Sequence, residues 1–374
     1  MKYYIIAGEA SGDLHASNLM KELKKVDSHA QFRFWGGDKM QAQGGELVVH
    51  YRHTNFMGFF EVVANIFTII GLLKTCQRDL LIYAPDVLIL IDYPGFNLRM
   101  AHFASKHRIR VFYYISPQIW AWKQSRVYQI KKWVTRMFVI LPFEKDFYAR
   151  FGVDVEFAGH PMHDALADLA RVDQNTIREQ MYLDERPVIA LLPGSRKQEV
   201  KKMLGLMISI TTEYPQYQFV VAGTSALPEI LYDKIIGKMP VKLIFGQTYS
   251  LLQIAEAALV TSGTATLETA LFKVPQVVCY KANLISYQIA RRLVKVNYIS
   301  LVNLIMNKPV VKELLQNDFN RPALIVELNK IVYDKKIRHA MLDHYQELEK
   351  MLGGPGTSAR VAAMMHETLL KSGK

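Results

Sequence analysis

Residues 188–199 combine the features that a protein needs to hold a phosphate group. The stretch VIALLPGSRKQE opens with five apolar residues, turns at Gly194 and continues as a charged, helix-favouring run. Ser195 and Gln198 have the spacing of a capping box, which predicts a helix that begins at Ser195. Helix N-termini attract anions, and Arg196 adds a planar cation there. The turn is a candidate phosphate site, although an ordinary strand–helix turn with a surface arginine has the same pattern.

A second loop has the same character. Ser262, Gly263, Thr264 and Ala265 follow an apolar run and lead into a stretch that favours a helix. Small residues at such a turn allow the backbone to approach an anion closely. Glu268 lies one helical turn further on. It is either a binding residue at this loop or a glutamate on the helix surface.

Two carboxylates follow apolar strands and are candidates for general acid–base chemistry. Asp92 ends the run VLILI and precedes a Pro-Gly turn, so it should project beyond the sheet. A carboxylate in that position can accept a proton from a hydroxyl group, or it can simply cap a turn through its side chain. Glu9 is the rival carboxylate, because it lies in a glycine-flanked loop after the first strand, and it could instead orient a substrate hydroxyl.

The elements that must position these residues read as two α/β series. Most strand candidates are continuous apolar runs, which is typical of parallel strands covered on both faces. Because they alternate with helical stretches, we expect a doubly wound parallel sheet in each series. Ligands of such sheets bind at the carboxyl ends of the strands. Two sheets facing one cleft would suit an enzyme with two substrates. The strand candidates are Tyr3–Ala7, Val87–Ile91, Val111–Ile115, Met137–Ile140, Val188–Leu192, Phe219–Ala222, Leu243–Phe245, Ala258–Thr261 and Gln276–Tyr280.

Composition limits the class of protein. The 374 residues suggest about two domains, and two cysteines are too few for a disulfide scaffold. The N-terminal residues lack the pattern of a signal peptide, so we expect a cytoplasmic protein. The net charge of +12 favours an acidic partner, such as nucleic acid, anionic lipid or a phosphorylated substrate. No nucleic-acid-binding motif accompanies that charge, and we expect no nucleic-acid partner.

The apolar segment 56–73 has two interpretations. At helical spacing its apolar side chains cover about half of the circumference, which is most often a buried face. The alternative is contact with a bilayer interface or with acyl chains. The residues that would make this contact are Phe56, Met57, Phe59, Phe60, Ile66, Phe67 and Ile70.

Ten short stretches stand out along the chain: AGEASGD (7–13), MGFFEV (57–62), IDYPGFN (91–97), YYISPQIWAWKQSRV (113–127), LPFEKDFY (141–148), GHPMHD (159–164), LLPGSR (191–196), SGTATLE (262–268), YISLVNLI (298–305) and VVKELLQ (310–316). Together they resemble lipid-A-disaccharide synthases, which are inverting glycosyltransferases of the GT-B type. The similarity extends over nearly the whole chain and is specific because the matches occur in order. Gly95 is a departure, since some members have an acidic residue there.

The resemblance implies a GT-B fold of two Rossmann-like domains whose parallel sheets face an interdomain cleft. Residues 1–165 would form the acceptor-binding, membrane-facing domain, and residues 186–345 the UDP-sugar-binding domain. Residues 346–374 would return to the first domain or be exchanged with a partner subunit of a homodimer. The implied location is the cytoplasmic face of the inner membrane, whose anionic surface would hold the protein peripherally.

The implied reaction transfers diacylglucosamine from UDP-2,3-diacylglucosamine to the 6-hydroxyl of 2,3-diacylglucosamine 1-phosphate (lipid X). It forms the β-1,6 disaccharide and UDP without a cofactor or metal. The chain lacks the D-x-D triplet with which many transferases hold a divalent ion, so its own amides and cations must stabilise the leaving diphosphate.

The candidate residues then have expected roles. Asp92 or Glu9 would act as the base, and Ser11, Asn97 and Asn303 would line the acceptor side or the cleft. A structural turn is the alternative role for Asn303. The UDP-sugar would be bound by Gly194, Ser195, Arg196, Ser262, Gly263, Thr264, Ala265 and Glu268, with the last on the ribose hydroxyls.

Two rival functions remain open at this point. A UDP-sugar 2-epimerase on the same scaffold would also bind UDP, but it would need acid–base groups for chemistry at C2 and no acyl-accepting surface. A nucleic-acid-binding module is suggested by the basic charge alone, and it would bind arbitrary strands in a salt-dependent way.

Overall fold

The structure is a computed structural model that describes residues 1–53, 65–167, 172–283 and 296–371. The chain divides into two compact units. The first unit comprises residues 1–169 and 352–374, and the second comprises residues 170–351.

The first unit contains a parallel sheet with the strand order β3-β2-β1-β4-β5-β6-β7 within its described residues. The central strands are buried along their length, as continuous apolar runs require. The chain order reverses between β1 and β4, which lie side by side. The strands are β1 (Lys2–Ala7), β2 (Gln31–Gly36), β3 (Glu46–His50), β4 (Val87–Ile91), β5 (Arg110–Tyr114), β6 (Arg136–Val139) and β7 (Glu156–Phe157).

The second unit repeats this plan. Its parallel sheet has the order β10-β9-β8-β11-β12-β13, with the reversal between β8 and β11. Both sheets are therefore doubly wound, and in each the point of reversal is where a ligand is expected. The strands are β8 (Val188–Leu192), β9 (Gln218–Gly223), β10 (Val241–Phe245), β11 (Ala255–Thr261), β12 (Gln276–Tyr280) and β13 (Lys312–Leu315).

Helices connect successive strands. In the first unit the described helices are α1 (Ala10–Val26), α2 (Asp38–Ala42), α3 (Ile66–Tyr83), α4 (Pro94–Lys106), α5 (Ile119–Trp122), α6 (Val127–Trp133), α7 (Pro142–Ala149) and α8 (Met162–Ala167). In the second unit they are α9 (Gln174–Gln180), α10 (Lys197–Ile208), α11 (Glu229–Ile236), α12 (Thr248–Ile254), α13 (Thr264–Leu271), α14 (Leu301–Met306), α15 (Arg321–Tyr333) and α16 (Lys335–Met351). The last helix, α17 (Thr357–Lys371), belongs to the first unit.

Helix α17 completes the core of the first unit. Its apolar side packs with α1 and β1, and Val361 and Met365 are buried in that cluster. Asp164 caps the start of α17, because its carboxylate accepts hydrogen bonds from the amides of Gly356 (2.6 Å) and Ser358 (2.6 Å). A carboxylate is favourable there, since a helix N-terminus carries a partial positive charge.

The structure corrects two details of the sequence analysis. The nine predicted strands are present, but β2, β3, β7 and β13 were missed. The helix predicted to begin at Ser195 begins at Lys197, and Gln198 does not close a capping box. Glu199 does so instead, as described below.

Candidate active site

The two candidate carboxylates meet at the reversal point of the first sheet. Glu9 follows β1 and Asp92 follows β4, and the ends of these strands are paired through Ala7 and Ile91. Adjacent parallel strands bring their following loops together at one edge of the sheet. The charge of Glu9 is close enough to raise the pKa of Asp92.

The backbone at Asp92 is held in an uncommon conformation. Asp92 and Tyr93 have φ angles of 43° and 48°, in the left-handed region that non-glycine residues seldom adopt. The Asp92 carbonyl accepts hydrogen bonds from the Asn97 side-chain amide (2.8 Å) and from the Tyr113 hydroxyl (2.5 Å). Strain of this kind persists where the surroundings fix it, and it often marks a functional site.

Burial changes the acidity of Asp92. Desolvation is the largest cause, and the nearby charge of Glu9 adds to it, so the pKa of Asp92 rises to about 7. A hydrogen bond from the Tyr93 amide acts in the opposite direction. A carboxylate with a pKa near neutrality is a better proton acceptor than an ordinary aspartate, because proton transfer is most effective when the pKa is near the working pH.

The loop after β1 is shaped by close packing. A Cβ atom on Gly8 would lie 2.4 Å from the Tyr93 ring, so a larger residue would displace the turn that carries Asp92. Ser11 is exposed on the first turn of α1, where it is accessible to a ligand. Asn97 is fully buried and its amide nitrogen donates to the carbonyls of Ile91 and Asp92, so it positions the loop. Its expected place on the acceptor side stays a prediction.

A pocket of about 470 Å³ lies at the reversal point of the second sheet. It is formed by the turns after β8, β9, β10 and β11, whose backbones leave the sheet at the same edge. The structure brings together all eight residues predicted to bind the UDP-sugar, which are Gly194, Ser195, Arg196, Ser262, Gly263, Thr264, Ala265 and Glu268. Thr224 and Ser225, on the turn after β9, line the same pocket.

Glu199 occupies the amides that were predicted to hold phosphate. Its carboxylate accepts hydrogen bonds from the backbone amides of Ser195 (3.1 Å) and Arg196 (3.2 Å), and it pairs with the Arg196 guanidinium at 3.2 Å. Gly194, at φ 100°, leaves room for the Glu199 carboxylate, because a Cβ at position 194 would lie 2.5 Å from a carboxylate oxygen. The guanidinium of Arg196 is exposed, with 66% of the side chain accessible, and can reach an anion in the pocket.

Glu268 lies inside the pocket wall, on the first turns of α13. Its carboxylate accepts a hydrogen bond from the Tyr249 hydroxyl at 2.8 Å. Burial raises the pKa of Glu268, and the Tyr249 hydrogen bond partly offsets this change. An acceptor held at the pocket wall suits the hydroxyl groups of a ribose. Sequence reasoning missed Tyr249, since nothing in its local pattern connects it with a residue nineteen positions away.

Asn303 supports the pocket without lining it. It is buried, its amide nitrogen donates to Val311 and to Glu313, and its oxygen accepts from the Val311 amide. Glu313 in turn accepts from the amide of Ile299, whose carbonyl accepts from the Ser262 hydroxyl at 2.8 Å. This chain of hydrogen bonds favours the structural alternative for Asn303, and its contact with the cleft stays a prediction.

The candidate membrane-contacting residues are described in part. Phe56, Met57, Phe59 and Phe60 lie outside the described residues. Ile66, Phe67 and Ile70 are exposed on the first turns of α3, and 86% of the Phe67 side chain is accessible. These three are therefore not core residues. In the portion of the chain that the structure covers, no helix combines the length and hydropathy needed to cross a bilayer.

Among the described residues, no three or more His, Cys, Asp or Glu side chains lie close enough together to hold a metal ion. In the described pocket, Arg196 and the amides at the start of α13 supply positive charge.

The family is shown by sequence. A family model described as lipid-A-disaccharide synthetase matches residues 3–356. The lipid-A-disaccharide synthase of Syntrophus aciditrophicus is 39% identical over 374 aligned residues, which cover 98% of this chain and 97% of that protein.

The chain belongs to the lipid-A-disaccharide synthase family. It is therefore a glycosyltransferase of lipid A biosynthesis.

Solved structures that resemble this lipid-A-disaccharide synthase family member share its GT-B fold. The calicheamicin glycosyltransferase CalG4 has a TM-score of 0.60 at 13% identity, covering 100% of this chain and 99% of that chain. The Methanocaldococcus jannaschii UDP-GlcNAc 2-epimerase, in complex with UDP-GlcNAc and UDP, has a TM-score of 0.66 at 17% identity, covering 98% of this chain and 100% of that chain. At these identities the similarity concerns the fold alone.

Proposed function

We propose that this enzyme transfers 2,3-diacylglucosamine from its UDP derivative to the 6-hydroxyl of lipid X, with inversion and without a metal ion. The observation that carries the proposal is that each of the two sheets has a different chemical group at its reversal point. One reversal point has a carboxylate whose pKa is raised to about 7, and the other has a pocket with a guanidinium and a helix N-terminus. The first suits activation of an alcohol, and the second suits a nucleoside diphosphate.

The donor occupies the 470 Å³ pocket in this proposal. The diphosphate lies against the first turn of α13 and the Arg196 guanidinium, and the ribose hydroxyls donate to Glu268. A UDP complex of a protein with the same fold supports the class of ligand. Because Glu199 holds the amides of Ser195 and Arg196, the contribution from that turn comes from the Arg196 side chain rather than from its backbone.

Asp92 accepts the proton of the acceptor hydroxyl as the new glycosidic bond forms. A sugar hydroxyl is a weak nucleophile, and a base positioned beside it contributes about 10²- to 10⁴-fold to the rate. Glu9 raises the pKa of Asp92 and is a second candidate for orienting the hydroxyl. Negative charge builds on the departing UDP in the same step, where oriented amides and Arg196 stabilise it.

The exposed apolar residues of α3 contact acyl chains or the bilayer surface in this proposal. Ile66, Phe67 and Ile70 form an apolar face on the described part of the segment, and burial of such side chains contributes about 1.5–3 kcal/mol each. The net charge of +12 favours an anionic membrane. Phe67→Ser should weaken sedimentation with vesicles and leave the melting temperature unchanged, because the ring is already exposed.

Incubation with both substrates tests the proposal directly. The purified protein receives radiolabelled UDP-2,3-diacylglucosamine and lipid X, and the products are separated by thin-layer chromatography. Formation of a disaccharide with equimolar UDP supports glycosyl transfer. A sugar epimerised at C2, formed without lipid X, would assign the protein to the epimerase class whose fold it shares. Proton NMR of the new anomeric centre identifies a β linkage if inversion is correct.

A further inference from the structure

A second cavity, in the first unit, lies outside the site described above. It has a volume of about 260 Å³ and lies between α4 and the segment that leads into α6. Pro94 and Gly95 form one wall, and Arg99, His102, Lys123 and Arg126 supply most of its polar groups. We refer to it as the basic pocket.

The charge of the basic pocket is unbalanced. Arg99, Lys123 and Arg126 line it together, and no aspartate or glutamate does. Among the described residues, none of these three cations forms an ion pair with a carboxylate. Arg126 is half-buried, and desolvation lowers its pKa, as does the charge of Arg99. The two guanidinium groups in the lining of one pocket repel each other, so a bound anion would stabilise both.

The Trp122 ring lies against two of the three cations. The guanidinium of Arg126 lies 5.4 Å from the centre of the Trp122 ring, and Lys123 lies 5.9 Å from it. His102 stacks on Trp133, with 4.5 Å between ring centres. Stacking of this kind restricts long side chains before a ligand arrives, which reduces the entropy lost on binding.

The shape of the basic pocket limits what it can hold. Arginine forks match the oxygen atoms of a phosphate. A drug-sized ligand generally needs a pocket of about 300–1,000 Å³, so 260 Å³ suits a phosphorylated head group and not a lipid with its acyl chains. The lining of the basic pocket therefore suits a phosphate group.

The position of the basic pocket connects it with the reaction. Pro94 and Gly95 begin α4, two and three residues after Asp92, so the wall of the pocket and the candidate base belong to one turn. We propose that the basic pocket is the subsite for the phosphate of the sugar acceptor, with Arg99 and Arg126 as its principal ligands. This inference rests on the proposed function, which supplies a phosphorylated acceptor.

Kinetics with two acceptors test this subsite. Arg126→Gln and Arg99→Gln are compared with the wild type on lipid X and on the same diacylglucosamine without its phosphate. Each substitution should raise KM for lipid X about 10- to 100-fold, the range of a charged hydrogen bond. It should leave kcat, the donor KM and the KM for the dephosphorylated acceptor within about twofold. An equal effect on both acceptors would overturn the proposal.

Lys106→Gln is the matched control. Lys106 is an exposed cation on the last turn of the same helix as Arg99, outside the basic pocket. It should leave KM for lipid X unchanged. If it raises that KM as much as Arg99→Gln does, general attraction by positive charge explains the effect and the subsite is wrong.

Binding measurements separate this inference from the proposed function. Glucosamine 1-phosphate is titrated into the wild type and Arg126→Gln, with UDP affinity as the check that both are folded. Binding of glucosamine 1-phosphate that is lost only in the variant supports the subsite. If the wild type binds it but forms no disaccharide, the proposed function alone is removed. Normal disaccharide synthesis with identical kinetics in both proteins would overturn the subsite alone.

The same phosphate chemistry occurs in phospholipid head groups. Sedimentation with phosphatidylglycerol vesicles, and with phosphatidylcholine vesicles as the reference, distinguishes this source. Arg99→Gln and Arg126→Gln should keep vesicle binding within about twofold if the acceptor phosphate is the ligand. The proposal is overturned if the variants lose vesicle binding but keep the wild-type ratio of KM values for the two acceptors. The basic pocket would then be a contact with membrane lipid.

Discussion

The pH dependence of the reaction should report the environment of Asp92. The base must be ionised, and its pKa of about 7 means that the carboxylate is protonated in most molecules below that pH. The ionised fraction is about 9% at pH 6 and about 91% at pH 8 for a group with this pKa. The rate constant kcat/KM should therefore rise about tenfold between these values. An aspartate with the ordinary pKa of 3.8 would give no change over that range.

Glu9→Gln tests the cause of this shift. The negative charge of Glu9 raises the pKa of Asp92, so its removal should move the acid limb of the profile to lower pH. Activity at pH 6 should then increase relative to activity at pH 8. Glu179→Gln, which neutralises an exposed carboxylate on α9, is the control and should leave the midpoint unchanged.

The assay measures initial rates of UDP release from pH 5.5 to 8.5 in buffers of constant ionic strength, with both substrates below their KM values. Those conditions make the profile report groups of the free enzyme. A flat profile in the wild type would refute the assignment of a raised pKa to the base. An unchanged midpoint in Glu9→Gln would refute the electrostatic coupling between the two carboxylates.

Three further substitutions have expected outcomes. Arg196→Ala should lower kcat/KM, with a loss of about 2–4 kcal/mol of transition-state stabilisation. Full activity would show that the guanidinium does not contact the diphosphate. Asn97→Ala leaves the Asp92 carbonyl without its amide donor, so urea unfolding should show a loss of about 1–3 kcal/mol and kcat should fall; no change in either would contradict its positioning role. Asp164→Ala removes the cap of α17. The free energy of opening of α17, measured by amide hydrogen exchange, should fall by about 1 kcal/mol, and unaltered exchange would count against the cap.

The central strands could be predicted because burial on both faces leaves a continuous apolar signal. Val87–Ile91, Val188–Leu192 and Gln276–Tyr280 match the structure at both ends. The missed strands lie toward the sheet edges and contain polar residues whose partners lie in distant parts of the chain. Arg33 on β2, for example, donates to Asp79 on α3, a contact that the local sequence does not reveal.

The loops that form the two candidate sites could be predicted because turns after parallel strands are easy to recognise. Their individual contacts could not, because these depend on residues distant in the chain. The start of α10 was placed at Ser195 since Glu199 was not recognised as the competitor for its amides. The choice between a cleft role and a structural role for Asn303 could not be made from the sequence, because its partner Glu313 lies on β13, which the sequence does not reveal as a strand.

The environment of Asp92 is a property of the folded chain. Its left-handed backbone, the hydrogen bond from Tyr113 and the proximity of Glu9 come from three different strand–loop junctions. The sequence indicates that a carboxylate follows β4, but it does not indicate that this carboxylate has a pKa near neutrality. The structure therefore adds the property on which the assignment of a base depends.

The most direct test measures turnover and UDP affinity together in Asp92→Asn. Asparagine tolerates the left-handed backbone at this position but cannot accept the proton. Turnover should be about 10²- to 10⁴-fold lower than in the wild type, and the UDP dissociation constant measured by calorimetry should stay within about twofold. Turnover within tenfold of the wild type, with UDP still bound, would contradict the assignment of Asp92 as the base.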